Sequence, residues 1–202
     1  MAKVGGIVLC GGESKRMGRP KAWLPFAGEI MLPRVLRLLG EVVSPLVVVA
    51  APGQDLPPLP PDVDVARDEE KGRGPLQGMA AGLKALRGRA DAAYASSCDV
   101  PFLKTAFVRR MIELLGDKQI CVPFVGGYHH PLAAVYRLEA ADAVERLLAE
   151  DRLRPVFLFD LVPTRVVHAN ELADVDPTCQ TLRNLNTPED YEAAVREATT
   201  NP

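Results

Sequence analysis

Apolar residues in this chain gather into short runs separated by glycine, proline and charged residues. Val4–Leu9, Leu46–Ala50 and Ala92–Ser97 are runs of apolar and small side chains that predict buried strands, and Val63–Ala66 is a shorter candidate. Gln119–Pro123 and Leu132–Tyr136 read as two more strands around a Gly126-Gly127 turn, with Thr164–His168 as a short last one. Between them, Leu32–Leu39, Leu76–Leu86, Phe107–Leu115, Ala140–Leu148 and Pro188–Ala198 carry the helical spacing of apolar positions. A second short helix is predicted near Pro155–Phe159, and the proline-rich stretch Pro52 to Pro61 predicts a surface loop.

Strands alternating with helices predict an α/β fold: a mostly parallel, doubly wound sheet covered on both faces. In such sheets ligands bind at the carboxyl ends of the strands. The chemistry-bearing residues fall at those ends, in the loop after Leu9, at Asp68 and at Asp99. A length of 202 residues suits one domain, and is enough to bury a substantial core.

The first of these loops is Leu9-Cys10-Gly11-Gly12-Glu13-Ser14-Lys15-Arg16-Met17-Gly18-Arg19-Pro20-Lys21. Glycines let the backbone come close to a ligand, and successive N–H groups there form an anion-binding concavity. Arg16 and Lys21 add full positive charges and Ser14 a hydroxyl, so the loop is suited to phosphate. It contains neither Gly-x-x-x-x-Gly-Lys-Ser/Thr nor Gly-x-Gly-x-x-Gly, which excludes the two commonest phosphate-loop patterns. Asp99 ends an apolar strand opposite this loop, where a carboxylate can hold Mg²⁺ alongside substrate phosphates. Its alternative role is a helix cap, but Thr105 lies closer to the next helix. Gly72-Arg73-Gly74-Pro75-Leu76-Gln77-Gly78 precedes a helix whose free N–H groups would point at a ligand.

Charge and cysteine usage narrow the classes further. The net charge of -2 argues against a broad nucleic-acid or membrane surface. The N-terminus lacks the pattern of a signal peptide, and no apolar run approaches the ~20 residues of a membrane span. Cys10, Cys98, Cys121 and Cys179 are widely spaced without a Cys-x-x-Cys, as expected of reduced thiols in a cytoplasmic protein. No Ser-His-Asp or Cys-His arrangement is apparent.

The pattern Leu-x-Gly-Gly-x-Ser-x-Arg-Met-Gly-x-x-Lys resembles the signature of small nucleotidyltransferases, in particular the molybdenum cofactor guanylyltransferases. Similar motifs follow in order at positions 68–78, 98–102, 129–132 and 184–190, so the resemblance covers nearly the whole chain. It implies a Rossmann-like nucleotidyltransferase fold, with a nucleotide-binding half of about residues 1–103 and an acceptor-binding half of about 104–202. The implied reaction transfers GMP from GTP to the terminal phosphate of molybdopterin, free or molybdenum-loaded, and releases pyrophosphate. Arg16, Lys21 and Asp99 would be catalytic, with Asp99 holding Mg²⁺. Leu9, Cys10, Gly11, Gly12, Ser14, Asp68, Gly74, Pro75 and Leu76 would join Lys21 and Asp99 around the nucleotide. His130, Asn184 and Asn186 would contact the acceptor. Transient contact with cofactor-synthesis or target molybdoenzyme proteins is also implied. Two positions depart from the family pattern. Cys10 stands where alanine is common, and Ala50-Ala51-Pro52 replaces a segment that often carries an asparagine in guanylyl members. The second departure leaves base identity open and keeps cytidylyl transfer as an alternative; transfer to another small phosphorylated acceptor and, ranked lower, nucleotide binding without catalysis are the others.

Other residues carry weaker signals. His129 and His130 are adjacent, so on an extended segment they point to opposite faces and do not form a joint metal pair. His168 is read as incidental. Asn184 and Asn186 sit two apart and share a face, while Thr187-Pro188-Glu189 is a good helix start. Arg137, Arg152 and Arg154 are candidates for gripping an anionic acceptor, or simply a solvated basic face. Trp23 and Phe26 read as core packing.

Overall fold

The computed structural model describes residues 2–11, 17–68, 70 and 72–200. In chain order its elements are β1 (Val4–Leu9), β2 (Pro25–Phe26), β3 (Glu29–Ile30), α1 (Met31–Gly40), β4 (Leu46–Ala50), β5 (Val63–Arg67), α2 (Gly74–Leu86), β6 (Ala92–Ser97), α3 (Thr105–Leu114), β7 (Ile120–Val125), β8 (Tyr128–His129), β9 (Ala133–Arg137), α4 (Ala141–Ala149), α5 (Val156–Leu161), β10 (Thr164–His168) and α6 (Pro188–Thr200). The main sheet has the order β10-β7-β9-β6-β1-β4-β5, with β8 paired to β7. β5, β4, β1 and β6 are parallel neighbours, as are β7 and β10, while β9 runs antiparallel between β6 and β7. The predicted α/β class with a mostly parallel sheet is therefore the observed one.

Helices cover both faces, which explains the unbroken apolar runs of the central strands. On one face α1 and α3 pack Leu32, Val35, Phe107 and Met111 against Val8, Val48 and Tyr94. On the other, α2, α4 and α5 pack Met79, Leu83, Val144 and Leu158 against Ile7, Val47 and Tyr136. Gly82 lets α2 lie directly on β1, since a Cβ there would come within 2.6 Å of Ile7. Gly78 meets Leu9 one turn earlier, so the N-terminus of α2 sits at the carboxyl edge of the sheet.

A third, smaller cluster joins the two ends of the chain. Met17, Leu24, Phe26 and Met31 pack with Leu185 and Ala194, and the Tyr191 hydroxyl donates to the Pro25 carbonyl at 2.6 Å. This seats α6 beside the β2–β3 ribbon and brings residues 184–186 next to Lys21. The ribbon has only two residues per strand, too short to show a period in the sequence.

β7 and β8 form a hairpin in which Val125 faces Tyr128 across Gly126-Gly127, at φ 63° and 83°. Two successive positive φ angles are the two-residue turn for which glycine is preferred. The chain then re-enters the sheet as β9 from the carboxyl edge, because β9 is antiparallel. His130, Pro131 and Leu132 therefore reach the same edge as Asp99, with Ser96 opposite Ala133.

Trp23 departs from the core role expected of it. It is 37% exposed, and its indole N–H reaches the Asp55 carbonyl at 3.4 Å. Phe26 is buried and meets Phe102 edge-on. Thr105 does not cap α3; it is the first helical residue, and the Lys104 N–H before it donates to Thr181 Oγ1 at 3.2 Å. No helix among the described residues is long and apolar enough to cross a membrane.

Candidate active site

Asp99 is fixed by an extension of the β1–β6 ladder past the strand ends. The Cys98 N–H donates to the Leu9 carbonyl at 3.1 Å, so the residue after it stands beside the loop that leaves β1. Its side chain is buried yet accepts three donors. Lys21 Nζ lies 2.6 Å from Oδ2, while Ser97 Oγ and Asn184 Nδ2 donate to Oδ1 at 2.6 and 2.8 Å. A buried carboxylate is tolerable only when paired and hydrogen-bonded in this way.

Lys21 opens a single 3₁₀ turn, Lys21–Trp23, closed by the Leu24 N–H on the Lys21 carbonyl. Its ammonium also donates to Asn186 Oδ1 at 3.1 Å, so two oxygens from distant segments converge on one cation. Asn184 Nδ2 is 2.8 Å from Ser97 Oγ as well as from Asp99. Between the two asparagines, Leu185 points into the third cluster and its N–H donates to the Asp99 carbonyl at 3.1 Å. This alternation is the extended geometry anticipated for Asn184 and Asn186. The helix start behind them is capped reciprocally: the Asp190 N–H donates to Thr187 Oγ1 and the Thr187 N–H to Asp190 Oδ2, at 3.2 and 3.0 Å. The Asn186 N–H donates to the same carboxylate, and these bonds, with that from Asn186 foremost, hold Asp190 below its usual pKa.

The opposite side of the edge is built by the exits of β1, β4 and β5. The Cys10 N–H donates to the Val49 carbonyl and the Asp68 N–H to the Ala50 carbonyl, at 2.8 and 2.9 Å. Gln54, which carried no signal in the sequence, ties these exits together. Its amide donates to the Cys10 carbonyl and accepts the Ala51 N–H, each at 3.0 Å. Arg67 adds bonds to the carbonyls of Ala51 and Gln54 at 3.0 and 2.9 Å. Asp68 accepts the Glu70 N–H at 3.2 Å. Gly11 is exposed, and a Cβ there would touch nothing closer than the Ala51 nitrogen at 3.9 Å.

Gly74 and Pro75 are exposed in the first turn of α2. Leu76 is fully buried in the core, and Leu9 nearly so, so what either offers a ligand is its backbone. Cys10 and Cys98 share a hydrogen bond that, together with burial, raises the Cys10 thiol well above its ordinary range. It is a neutral packing group, not a nucleophile. Gly12, Ser14 and Arg16 lie outside the described residues.

On the far side of Asn184 is a cavity of about 240 Å³ lined by Val100, His130, Pro131, Leu132 and Thr181. His130 Nε2 is 3.2 Å from the Val125 carbonyl, and the His130 backbone N–H donates to the Pro123 carbonyl. His129 also borders the cavity, with its ring between Phe124 and Phe159 at 4.9 and 5.1 Å. Burial holds the His129 imidazole below its usual pKa and favours its neutral form, against an opposing pull from Asp160 and with a smaller contribution from His130. His168 meets the same Phe124 edge-on. Arg137 is committed to the carbonyls of Lys118 and Gly116, and Arg152 lies over the Phe157 ring.

Comparison with known proteins gives this edge a context. The model of the MobA-like NTP transferase domain matches residues 6–164. A protein of Mycobacterium ulcerans named as a probable molybdenum cofactor guanylyltransferase is 37% identical over 197 residues, covering 95% of this chain and 92% of that one. A protein of Mycobacterium tuberculosis with the same name is 39% identical over 162 residues, 77% of this chain and 78% of that one. Among solved structures, molybdopterin-guanine dinucleotide biosynthesis protein A from Archaeoglobus fulgidus superposes with a TM-score of 0.77 at 21% identity, covering 97% and 99% of the two chains. The 2-C-methyl-D-erythritol 4-phosphate cytidylyltransferase of Thermus thermophilus superposes with a TM-score of 0.72 at 17% identity, covering 98% and 99%. At such identities the two structures bear on the fold alone.

Proposed function

The chain belongs to the MobA-like NTP transferase family, and on that premise we propose that it transfers GMP from GTP to the terminal phosphate of molybdopterin, releasing pyrophosphate. The observation that carries this reading is the convergence of Lys21, Asp99, Asn184 and Asn186 at the carboxyl edge of the sheet, between the β1 loop and the cavity beside Asn184. The nucleotide lies along the exits of β1, β4 and β5, and the acceptor enters from the side of Asn184 and His130.

The chemistry asks little of a base. A phosphate monoester is already largely dianionic near neutral pH, its second pKa being about 6. The obstacle is repulsion: like charges at 4 Å cost about 4 kcal/mol at an effective dielectric of 20. Asp99 and Asn186 would hold Mg²⁺. Both offer hard oxygens, and those oxygens already converge on the Lys21 ammonium at 2.6 and 3.1 Å, which suits an oxygen-seeking cation. When bound, Mg²⁺ would offset phosphate charge and polarise the reacting phosphate. Lys21 leaves Asp99 to meet the nucleotide phosphates and neutralises charge there as pyrophosphate departs. Ser97 and Asn184 keep their hold on Asp99 Oδ1, so the carboxylate stays aimed when Oδ2 changes partner. Arg16, which lies outside the described residues, is assigned from the sequence alone as a further positive charge for the phosphates.

Cytidylyl transfer is the second reading, favoured by the Ala50-Ala51-Pro52 segment. The test is Mg²⁺-dependent pyrophosphate release with molybdopterin as acceptor and GTP, CTP, ATP or UTP as donor. Release with GTP alone supports guanylyl transfer. Release with CTP alone moves the protein to the cytidylyl branch with the same machinery, and none with any nucleotide overturns both readings.

A further inference from the structure

We infer that Asp176 is a positioning residue for the reaction: it sets the separation of Asn184 from Asp99 without touching substrate. This rests on the reading of Asp99 and Asn184 as active-site groups. The Asp176 side chain is fully buried, and its carboxylate joins the two segments that flank the site. One arm is Lys104, five residues after Asp99, whose Nζ lies 2.9 Å from Oδ1. The other arm is the turn before Asn184. The Gln180 and Thr181 N–H groups donate to the two carboxylate oxygens at 3.1 and 2.8 Å.

The arms are also tied to each other, since the Lys104 N–H donates to Thr181 Oγ1 at 3.2 Å. Little slack separates this knot from the site. The Leu182 N–H donates to the Cys179 carbonyl and the Arg183 N–H to that of Gln180, both at 3.0 Å, and Asn184 follows at once. Cys179 enters the turn at φ 50°, a left-handed conformation that a non-glycine residue adopts only when its surroundings hold it there. The clamp therefore governs two things: the reach of Asn184 Nδ2 to Asp99 Oδ1, and the Thr181–Leu182 wall of the cavity.

The substitution Asp176→Asn preserves shape and leaves one oxygen to accept an N–H, but removes the charge that holds Lys104. It is measured alone, with Asn184→Ala alone, and with both together, by kcat and KM for pyrophosphate release. Asp176→Asn is expected to lower kcat about tenfold while KM for GTP moves less than about twofold, and in the Asn184→Ala background to cost less than about twofold further. Equal losses in both backgrounds would make Asp176 a general stability residue and overturn the inference, as would an unchanged kcat. Thr181→Val, which cuts the link between the arms and keeps the volume, must show the same loss of additivity. If Asp176→Asn does not fold, Thr181→Val decides alone. If Asn184→Ala turns over like the wild type, the reading of the site fails first, and the inference with it.

Discussion

Two aspartate–lysine pairs with buried carboxylates lie on either side of the turn that follows β6, and they are built differently. At Asp99 the donors are side chains, and Lys21 keeps 19% of its side chain in contact with solvent. At Asp176 two of the donors are backbone N–H groups and the carboxylate has no exposure, although its cation, Lys104, is itself 40% exposed. Side-chain donors can change partners by rotating about a few bonds, whereas backbone donors move only if the turn itself unravels. The first pair can therefore open to a ligand, and the second holds the frame in which it opens.

The sharpest break between the pairs comes from Asp99→Asn and Lys21→Ala. Each is expected to lower turnover by about a thousandfold or more, while the thermal midpoint stays close to that of the wild type. A large fall in midpoint would make the Asp99 pair a structural element like its neighbour. Asp176→Ala should do the reverse to stability, because it leaves the buried Thr181 N–H and the half-buried Gln180 N–H without their acceptor. A loss of about 2 kcal/mol in denaturant unfolding is expected; a loss under about 0.5 kcal/mol, the range of ordinary surface changes, would remove the distinction.

Acid sharpens the comparison next. Burial by itself would raise the Asp176 carboxyl, but Lys104 and the N–H donors of Thr181 and Gln180 overcome it and hold the group below its usual range. A depressed folded-state value means that the carboxylate stabilises the fold above the unfolded value of about 3.9, and that this is lost as pH falls through the lower one. The stability gap between wild type and Asp176→Asn should narrow as pH drops below about 4, and a constant gap across that window would contradict the assignment. The smallest effect expected is at Gln54. Gln54→Ala removes two hydrogen bonds that tie the exits of β1 and β4, and should raise KM for the nucleotide about threefold with kcat unchanged.

Much of the fold was legible because long apolar runs and helical spacing report burial directly. Val4–Leu9, Leu46–Ala50, Ala92–Ser97 and Thr164–His168 are strands with the ends expected of them, and the helices differ by one or two residues at their ends. The β2–β3 ribbon and β8 were not legible, since two residues carry no period. Trp23 looked like core from its residue type, yet the end of its 3₁₀ turn leaves the ring at the surface. At the site, Asp99 and Lys21 stood out because they end a strand or follow a glycine loop. Ser97, Gln54, Lys104 and Asp176 did not, because a polar residue in a sequence is ordinary until its partners are known.

The sequence by itself determined the α/β class, the strand runs that make the sheet, and the glycine-rich loops at its carboxyl edge, since each depends on neighbours a few residues apart. Only the tertiary structure decided that β9 runs antiparallel and delivers His130 to that edge. It also decided that α6 returns to Lys21 and that Asp176 joins Lys104 to residues 180–181. The hydrogen bonds among these contacts span up to 166 residues of chain. They follow from which buried surfaces and charges satisfy one another once the whole chain is packed, which no local pattern encodes.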